Sequence, residues 1–421
     1  VPFARMVLLA AVFFPYVQLV PSPSYMQPYA LIVAAFLFMR TGLLGMRTMP
    51  TRDCVFLTAF AALGVALLLL DGGPGSMQDL KFLLNYVAPL LLVSTLFVVL
   101  RDHTAAARRG IEIAIVVWLG VALVEKIISP HVFAFLLGTW SSVPIDMPLS
   151  ARGVVSLAPE PTHYAFHILM LGAAAVLLGS RPVFPALAVA QAVLLAQSSS
   201  AILALALGGA LLCLLWPRYV LLLALPAAIV GGAGLALAIA FGIGGRPVIL
   251  LQEFLSNPVG IVTADMSVNY RLGGLAAAFA EVWNSRFLPH GLSWETWLAI
   301  RDEALREHDW LIDLSTVGPP SGIGVIAIQS GIVGLALLLA MLVRMVGAAP
   351  RAVVALLPCT APFVFMSQYY ISAPVFSLVL ASAIVVTSRR EAIAAAPARA
   401  DEPHRDAALA RETGSAASVA G

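Results

Sequence analysis

Apolar runs of about 15 to 23 residues, separated by short polar connections, fill this chain, and runs near 20 residues match the thickness of a hydrocarbon core. Taken in order they cover Met6 to Val20, Tyr29 to Met46, Cys54 to Leu70, Phe82 to Leu100, Gly110 to Ile128 and Pro161 to Leu178. They continue over Pro182 to Ala196, Ala201 to Trp216, Tyr219 to Phe241, Ser321 to Val343, Ala352 to Met366 and Pro374 to Thr387. The pattern predicts an all-α, polytopic integral membrane protein with about 12 transmembrane helices. The first run follows Arg5 without a small-residue cleavage pattern and is read as a span that stays.

Composition agrees with the pattern. Charged residues make up 11 % and hydrophobic ones 61 %, against roughly a quarter charged in a soluble domain. The net charge of +2 excludes no partner by itself, but nothing in the chain supports nucleic-acid binding. The three cysteines, Cys54, Cys213 and Cys359, stand far apart in or beside apolar runs and read as small core residues.

Placement of arginine sets the expected orientation. Arg47, Arg52, Arg101, Arg108, Arg109, Arg181, Arg218, Arg344, Arg351, Arg389 and Arg390 fall in alternate connections, while the short intervening ones near 21–28, 197–200 and 367–371 carry no Lys or Arg. Positively charged short loops stay in the cytoplasm, so the chain is expected to be multi-pass with both termini inside and its long loops outside, which means periplasmic loops and an inner membrane if the source is a Gram-negative bacterium. On this reading residues 1–388 form the membrane domain. Residues 389–421, Ala-rich with mixed charge, read as a disordered cytoplasmic tail.

Two outer, periplasmic loops remain, about 129–160 and 242–320, the second lying between helices 9 and 10. The longer one holds Trp283, Trp294, Trp297 and Trp310, five arginines, no lysine, and His290 and His308. Its part from Ser293 to Leu314 reads as a helix with Trp294, Trp297, Ile300, Ala304, Leu305 and Leu311 on one face and Asp302, Arg306, Asp309 and Asp313 on the other. That face suits an anchor at the membrane surface, or an apolar wall for a sugar ring.

Before it, Arg271 is expected at the start of a helix, where free backbone N–H groups favour an anion, and Pro289 and Gly291 mark a turn around His290. In the shorter loop, Arg152-Gly153 leads to Glu160-Pro161-Thr162-His163 at the mouth of the next span. His167 lies one turn below His163, and ionisable groups at such depth usually face a wet cavity.

The order of these stretches, together with Ser198-Ser199-Ser200 and Gln329-Ser330-Gly331-Ile332-Val333-Gly334, resembles the O-antigen polymerase and O-antigen ligase superfamily of bacterial polysaccharide assembly. Gly318-Pro319-Pro320-Ser321 stands where ligases of that superfamily carry a His, which turns the resemblance toward polymerase. It implies glycosyl transfer between undecaprenyl-diphosphate-linked oligosaccharide repeats at the outer face of the bilayer. A chain-length regulator and a flippase of the same pathway would be its partners. The alternatives are a ligase that moves finished glycan to lipid A core or protein, and a non-enzymatic glycolipid flippase or exporter.

Such a transfer needs cations on the departing diphosphate and a group to orient or deprotonate the acceptor hydroxyl. Arg152 and Arg271 are the candidates for the first task, and Glu160, His163 or His290 for the second. Arg246, Arg286, Trp283 and Tyr270 are the candidates for holding substrate. No Asp-x-Asp signature occurs and the first outer loop has no acid, so neither a metal nor another cofactor is expected.

Overall fold

A computed structural model describes residues 3–20, 26–129, 132–137, 153–215, 252–253, 256–257, 266–307, 321–348 and 371–400. The elements named from these are helical, and no strand occurs among the described residues. In chain order they are α1 (Phe3–Phe13), α2 (Tyr29–Leu37), α3 (Leu43–Thr48), α4 (Thr51–Leu70), α5 (Met77–Asp102), α6 (Thr104–Ile127) and α7 (Ala134–Leu137). There follow α8 (Pro161–Leu177), α9 (Val183–Ala190), α10 (Ser199–Leu215), α11 (Met266–Asn284), α12 (Trp294–Glu307), α13 (Gly322–Gly347) and α14 (Pro374–Ala400).

Among the described residues three helices, α4, α5 and α13, with 20, 26 and 26 residues, are long and apolar enough to cross a membrane. Shorter apolar helical stretches cover Phe3–Phe13, Tyr29–Arg40, Pro161–Leu177 and Val183–Leu195. The expected spans at 219–241 and 352–366 lie outside the described residues. The first expected span is cut short because Pro15 disfavours helical geometry at Phe14, so α1 stops at Phe13. At the other end α14 runs on to Ala400, into the stretch read as a tail, as its high alanine content favours.

Helix α5 is central and packs on α2, α4, α6 and α14. Its segment from Leu92 to Leu100 is buried throughout, which explains why the sequence there is apolar on every face rather than amphipathic. Tyr86 lies against Phe60 with ring centroids 4.8 Å apart, and Gly64 on α4 leaves the space that the Tyr86 ring enters. Helix α8 is likewise enclosed, by α6, α9 and α14.

The helices carry their polar contacts at two ends. At one end Arg344 makes a bidentate pair with Asp53, 2.8 and 2.9 Å, and Arg5 reaches Asp102 at 3.1 Å. There too Arg389 donates to the Arg101 carbonyl and Thr104, Arg390 to the Ala348 carbonyl and Arg108 to the Gly179 carbonyl. These arginines come from connections that the alternation assigns to one side. Asp53 and Asp71 close opposite ends of α4, about 27 Å apart at 1.5 Å per residue. Asp71, Asp79, Glu160 and Ser321 all mark the other end of their helices.

Candidate functional site

The site begins with a broken helix. Within α13, Gly331 adopts φ 60° and ψ −151°, a conformation essentially reserved for glycine, which separates 322–330 from the turns that follow. The break removes the normal partners of the Ile328 and Gln329 carbonyls and of the Ile332 amide. Unpaired backbone groups are costly where water is excluded, so something must replace those partners.

The replacement is the chain from Phe287 to Gly291. His290 N donates to Ile328 O at 3.0 Å, Gly291 N to Gln329 O at 3.1 Å, and Ile332 N to Phe287 O at 3.1 Å. A side chain at residue 331 would run into the Phe287 carbonyl. From the far side the buried Tyr86 hydroxyl lies 3.3 Å from Gln329 Oε1 and 3.2 Å from Ser330 Oγ, within reach of either acceptor. The Gln329-Ser330-Gly331 sequence is therefore the seat of an inserted loop.

Local signals deliver that loop to its seat. Helix α11 ends in a Schellman arrangement: Phe287 N donates to Val282 O at 2.9 Å and Arg286 N to Trp283 O at 3.1 Å. Arg286, at φ 55°, occupies the left-handed position where glycine is usual, and Phe287 follows at φ 63°. Beyond the turn, Leu292 N donates to Asp71 Oδ2 at 2.5 Å and Trp294 N to Asp79 Oδ1 at 2.8 Å. Asp79 also completes a capping box with Ser76, accepting from Ser76 N at 2.7 Å while its own amide donates to Ser76 Oγ at 3.2 Å. One carboxylate thus closes the N-termini of α5 and α12 together.

The turn places His290 Nε2 3.0 Å from Glu281 Oε1, off the hydrogen-bond direction, with both side chains partly open to the surface. Trp283, 73 % exposed, and the exposed Arg286 flank the same turn.

Arg271 and Tyr270 lie on α11. Helix α11 starts at Met266, so Arg271 sits in its second turn and not at the N-terminus that the anion-site argument requires. Ten residues of helix also separate it from Glu281, about 15 Å along the axis. Arg271 and the His290 turn therefore mark two ends of one helix. Arg152 and Arg246 lie outside the described residues, as do His308 and Trp310.

A second cluster gathers around the start of α8. Glu160 is its N-cap residue and Pro161 its first, a placement that loses no helical hydrogen bond. His163 Nδ1 lies 3.8 Å from Glu160 Oε2, and Tyr16 meets the rings of His163 and His167 edge-on. His167 lies on the expected face, but protein surrounds it among the described residues where a wet cavity was expected. It is fully buried, with Nε2 2.9 Å from the Phe13 carbonyl, which also accepts from Trp118 Nε1 at 3.0 Å. In that position His167 helps finish the end of α1.

Behind it Glu125 is 1 % exposed and accepts from Ser156 N at 2.6 Å. Ser156 stands at φ 52°, and its hydroxyl donates to the Trp118 carbonyl at 3.0 Å. Val154 N donates to Leu195 O, at the end of the π-turn Gln191–Leu195, and Gly153 passes so close to the Ala196 carbonyl that a larger residue would collide with it. Glycine after Arg152 thus has a packing reason.

Over its described residues helix α12 keeps the apolar face expected of it, but Trp297 and Ile300 bury that face against Ala278 and Val282 of α11 and Ala327 and Ile328 of α13. The face is a protein contact and not a membrane-surface anchor. Sequence reasoning missed Asp71, Asp79, Glu281 and Tyr86. Only Ser76 and Asp79 carried a readable signal, the spacing of a capping box.

No known family model matches the chain, and no curated protein matches it.

Proposed function

We propose that the chain polymerises undecaprenyl-diphosphate-linked oligosaccharide repeat units at the periplasmic face of the bacterial inner membrane, the arginine-bearing end of its helices being cytoplasmic. The observation that carries the reading is the insertion of 287–291 into the break at Gly331, which holds an imidazole–carboxylate pair at the opposite end of the bundle. In this reaction the acceptor hydroxyl oxygen bonds to the anomeric carbon of the donor chain, the carbon–oxygen bond to the diphosphate breaks, and His290 takes the hydroxyl proton. Glu281 stabilises the imidazolium so formed. Arg152 stabilises the departing diphosphate, and Arg271, Trp283, Tyr270, Arg286 and Arg246 hold the glycan and lipid portions of the donor. Glu160 and His163, paired at the mouth of α8, are the second candidate set for the acceptor hydroxyl.

One observation favours a different reading. Broken helices are a feature of transporters, where the freed backbone groups receive ions or substrate, and α13 is broken. Here the freed carbonyls of Ile328 and Gln329 are already occupied by the His290 and Gly291 amides, which argues for a scaffold over a translocation site. Deletion of the gene in its source organism separates the readings. A polymerase deletant makes glycan capped at one repeat unit, a ligase deletant accumulates full-length polymer on the lipid carrier, and an exporter deletant retains single repeats on the cytoplasmic face. Normal chain lengths would remove the proposal.

A further inference from the structure

The loop Asp71–Asp79 contributes two carboxylates to a segment more than 200 positions away, and the catalytic reading just given makes no use of either. Both accept backbone amides rather than cations. Asp71 takes the Leu292 amide through Oδ2, and Gly291, at φ 88°, fits because a side chain there would strike the same carboxylate. Asp79, only 5 % exposed, divides its oxygens: Oδ1 takes the Trp294 amide and Oδ2 the Ser76 amide. On the upstream side of His290, the His290 and Gly291 amides are tied to α13. The imidazole-bearing turn is therefore clamped from two sides, by α13 and by the α4–α5 connection with the first turn of α5. Charge-assisted amide hydrogen bonds are roughly twice as strong as neutral ones.

We infer that Asp71 and Asp79 are positioning residues, which hold the Gly291–Trp294 segment so that the His290 imidazole stays against Glu281. The inference rests on the reading of His290 as the proton acceptor, but the geometry it predicts can be measured without activity. The two aspartates should also differ in their tolerance. Asn at 71 keeps one acceptor oxygen for the single amide it must take, whereas Asn at 79 keeps one oxygen for two amides.

The experiment uses the full chain in membranes with Cys54, Cys213 and Cys359 replaced by Ser or Ala and a single cysteine introduced by Leu288→Cys, at an exposed position of the turn. The rate of labelling by a membrane-impermeant maleimide reports release of the turn, and polymer length in the same cells reports activity. Asp71→Ala is expected to raise the labelling rate about tenfold, the change that loss of one charge-assisted hydrogen bond carries. Asp71→Asn is expected to restore the parent rate, and Asp79→Asn to fall between. Extraction as a monodisperse protein shows that each variant has folded, and the Asn variants carry the test if Asp71→Ala does not fold. An unchanged labelling rate in folded Asp71→Ala and Asp79→Asn overturns the inference, whatever happens to activity. Faster labelling with unaltered polymer length leaves the clamp standing and removes His290 from the reaction.

Discussion

The Phe287 carbonyl accepts the Ile332 amide at 3.1 Å and so closes, from another part of the chain, the gap that Gly331 opens in α13. This bond joins the middle of the 242–320 interval to the helix that follows it. A loop whose backbone is shared with a membrane helix is as well fixed as the helix itself, which is what a proton-accepting side chain needs if it is to meet a hydroxyl repeatedly in one geometry.

Gly331 should therefore be intolerant of any side chain. Gly331→Ala combines a glycine-only backbone conformation with a collision at the Phe287 carbonyl, so a loss of about 1–3 kcal/mol or more is expected. Gly347→Ala, near the far end of the same helix with no atom within 4 Å of the added methyl, is the control and should be neutral. Thermal unfolding of the detergent-extracted proteins by tryptophan fluorescence distinguishes them; equal midpoints would remove the account of the break.

His290 and Glu281 should differ in weight. General-base assistance is typically worth about 10²–10⁴ in rate, so His290→Ala is expected to shorten the polymer strongly but to leave residual product. Glu281→Gln keeps the shape of its partner and should lose less. Electrophoresis of the lipid-linked glycan ladder reads both, and a Glu281→Gln variant more impaired than His290→Ala would reverse the roles.

The buried Arg344–Asp53 pair gives a stability prediction that is independent of catalysis. Asp53 is 3 % exposed, and removing it leaves the partly exposed Arg344 with only Glu391, at 4.0 Å, so Asp53→Ala is expected to cost up to about 3 kcal/mol. Replacing both residues with Leu should recover much of that loss. A double-mutant cycle on unfolding midpoints measures the coupling, and strict additivity of the two single changes would mean that the pair does not interact.

Trp297 offers a case where a smaller side chain does no harm. Its indole nitrogen is buried with no hydrogen-bond partner among the described residues, while its ring packs between α11 and α13. Trp297→Phe removes an unsatisfied donor and keeps a ring, and should change stability by less than about 1 kcal/mol. Trp297→Ala empties the contact and should cost about 3–5 kcal/mol. A large loss in the Phe variant would show that the indole N–H has a partner.

The fold was legible where hydrophobic length alone decides it. The runs at Cys54 to Leu70 and Ser321 to Val343 became α4 and α13 with small shifts, because an apolar stretch near 20 residues has few alternatives. The period of α12 was also legible, but not its neighbour, since an apolar face looks the same whether lipid or Ala327 covers it. At the site, a Pro–Gly turn at His290 could be read from the sequence. Its docking could not, because three backbone hydrogen bonds carry no residue signature beyond a glycine in an otherwise unremarkable span. Asp71 was passed over for a similar reason: an acid in a short Gly-rich connection has no periodicity, and its partner Leu292 contributes only an amide.

The most direct measurement is made with the purified full-length protein in detergent and a lipid-linked single repeat unit as sole substrate. The account predicts a ladder of products with two or more repeats, released lipid diphosphate in equal number to the new linkages, and loss of most of the ladder in His290→Ala. Substrate that remains at one repeat with folded wild-type protein would contradict it.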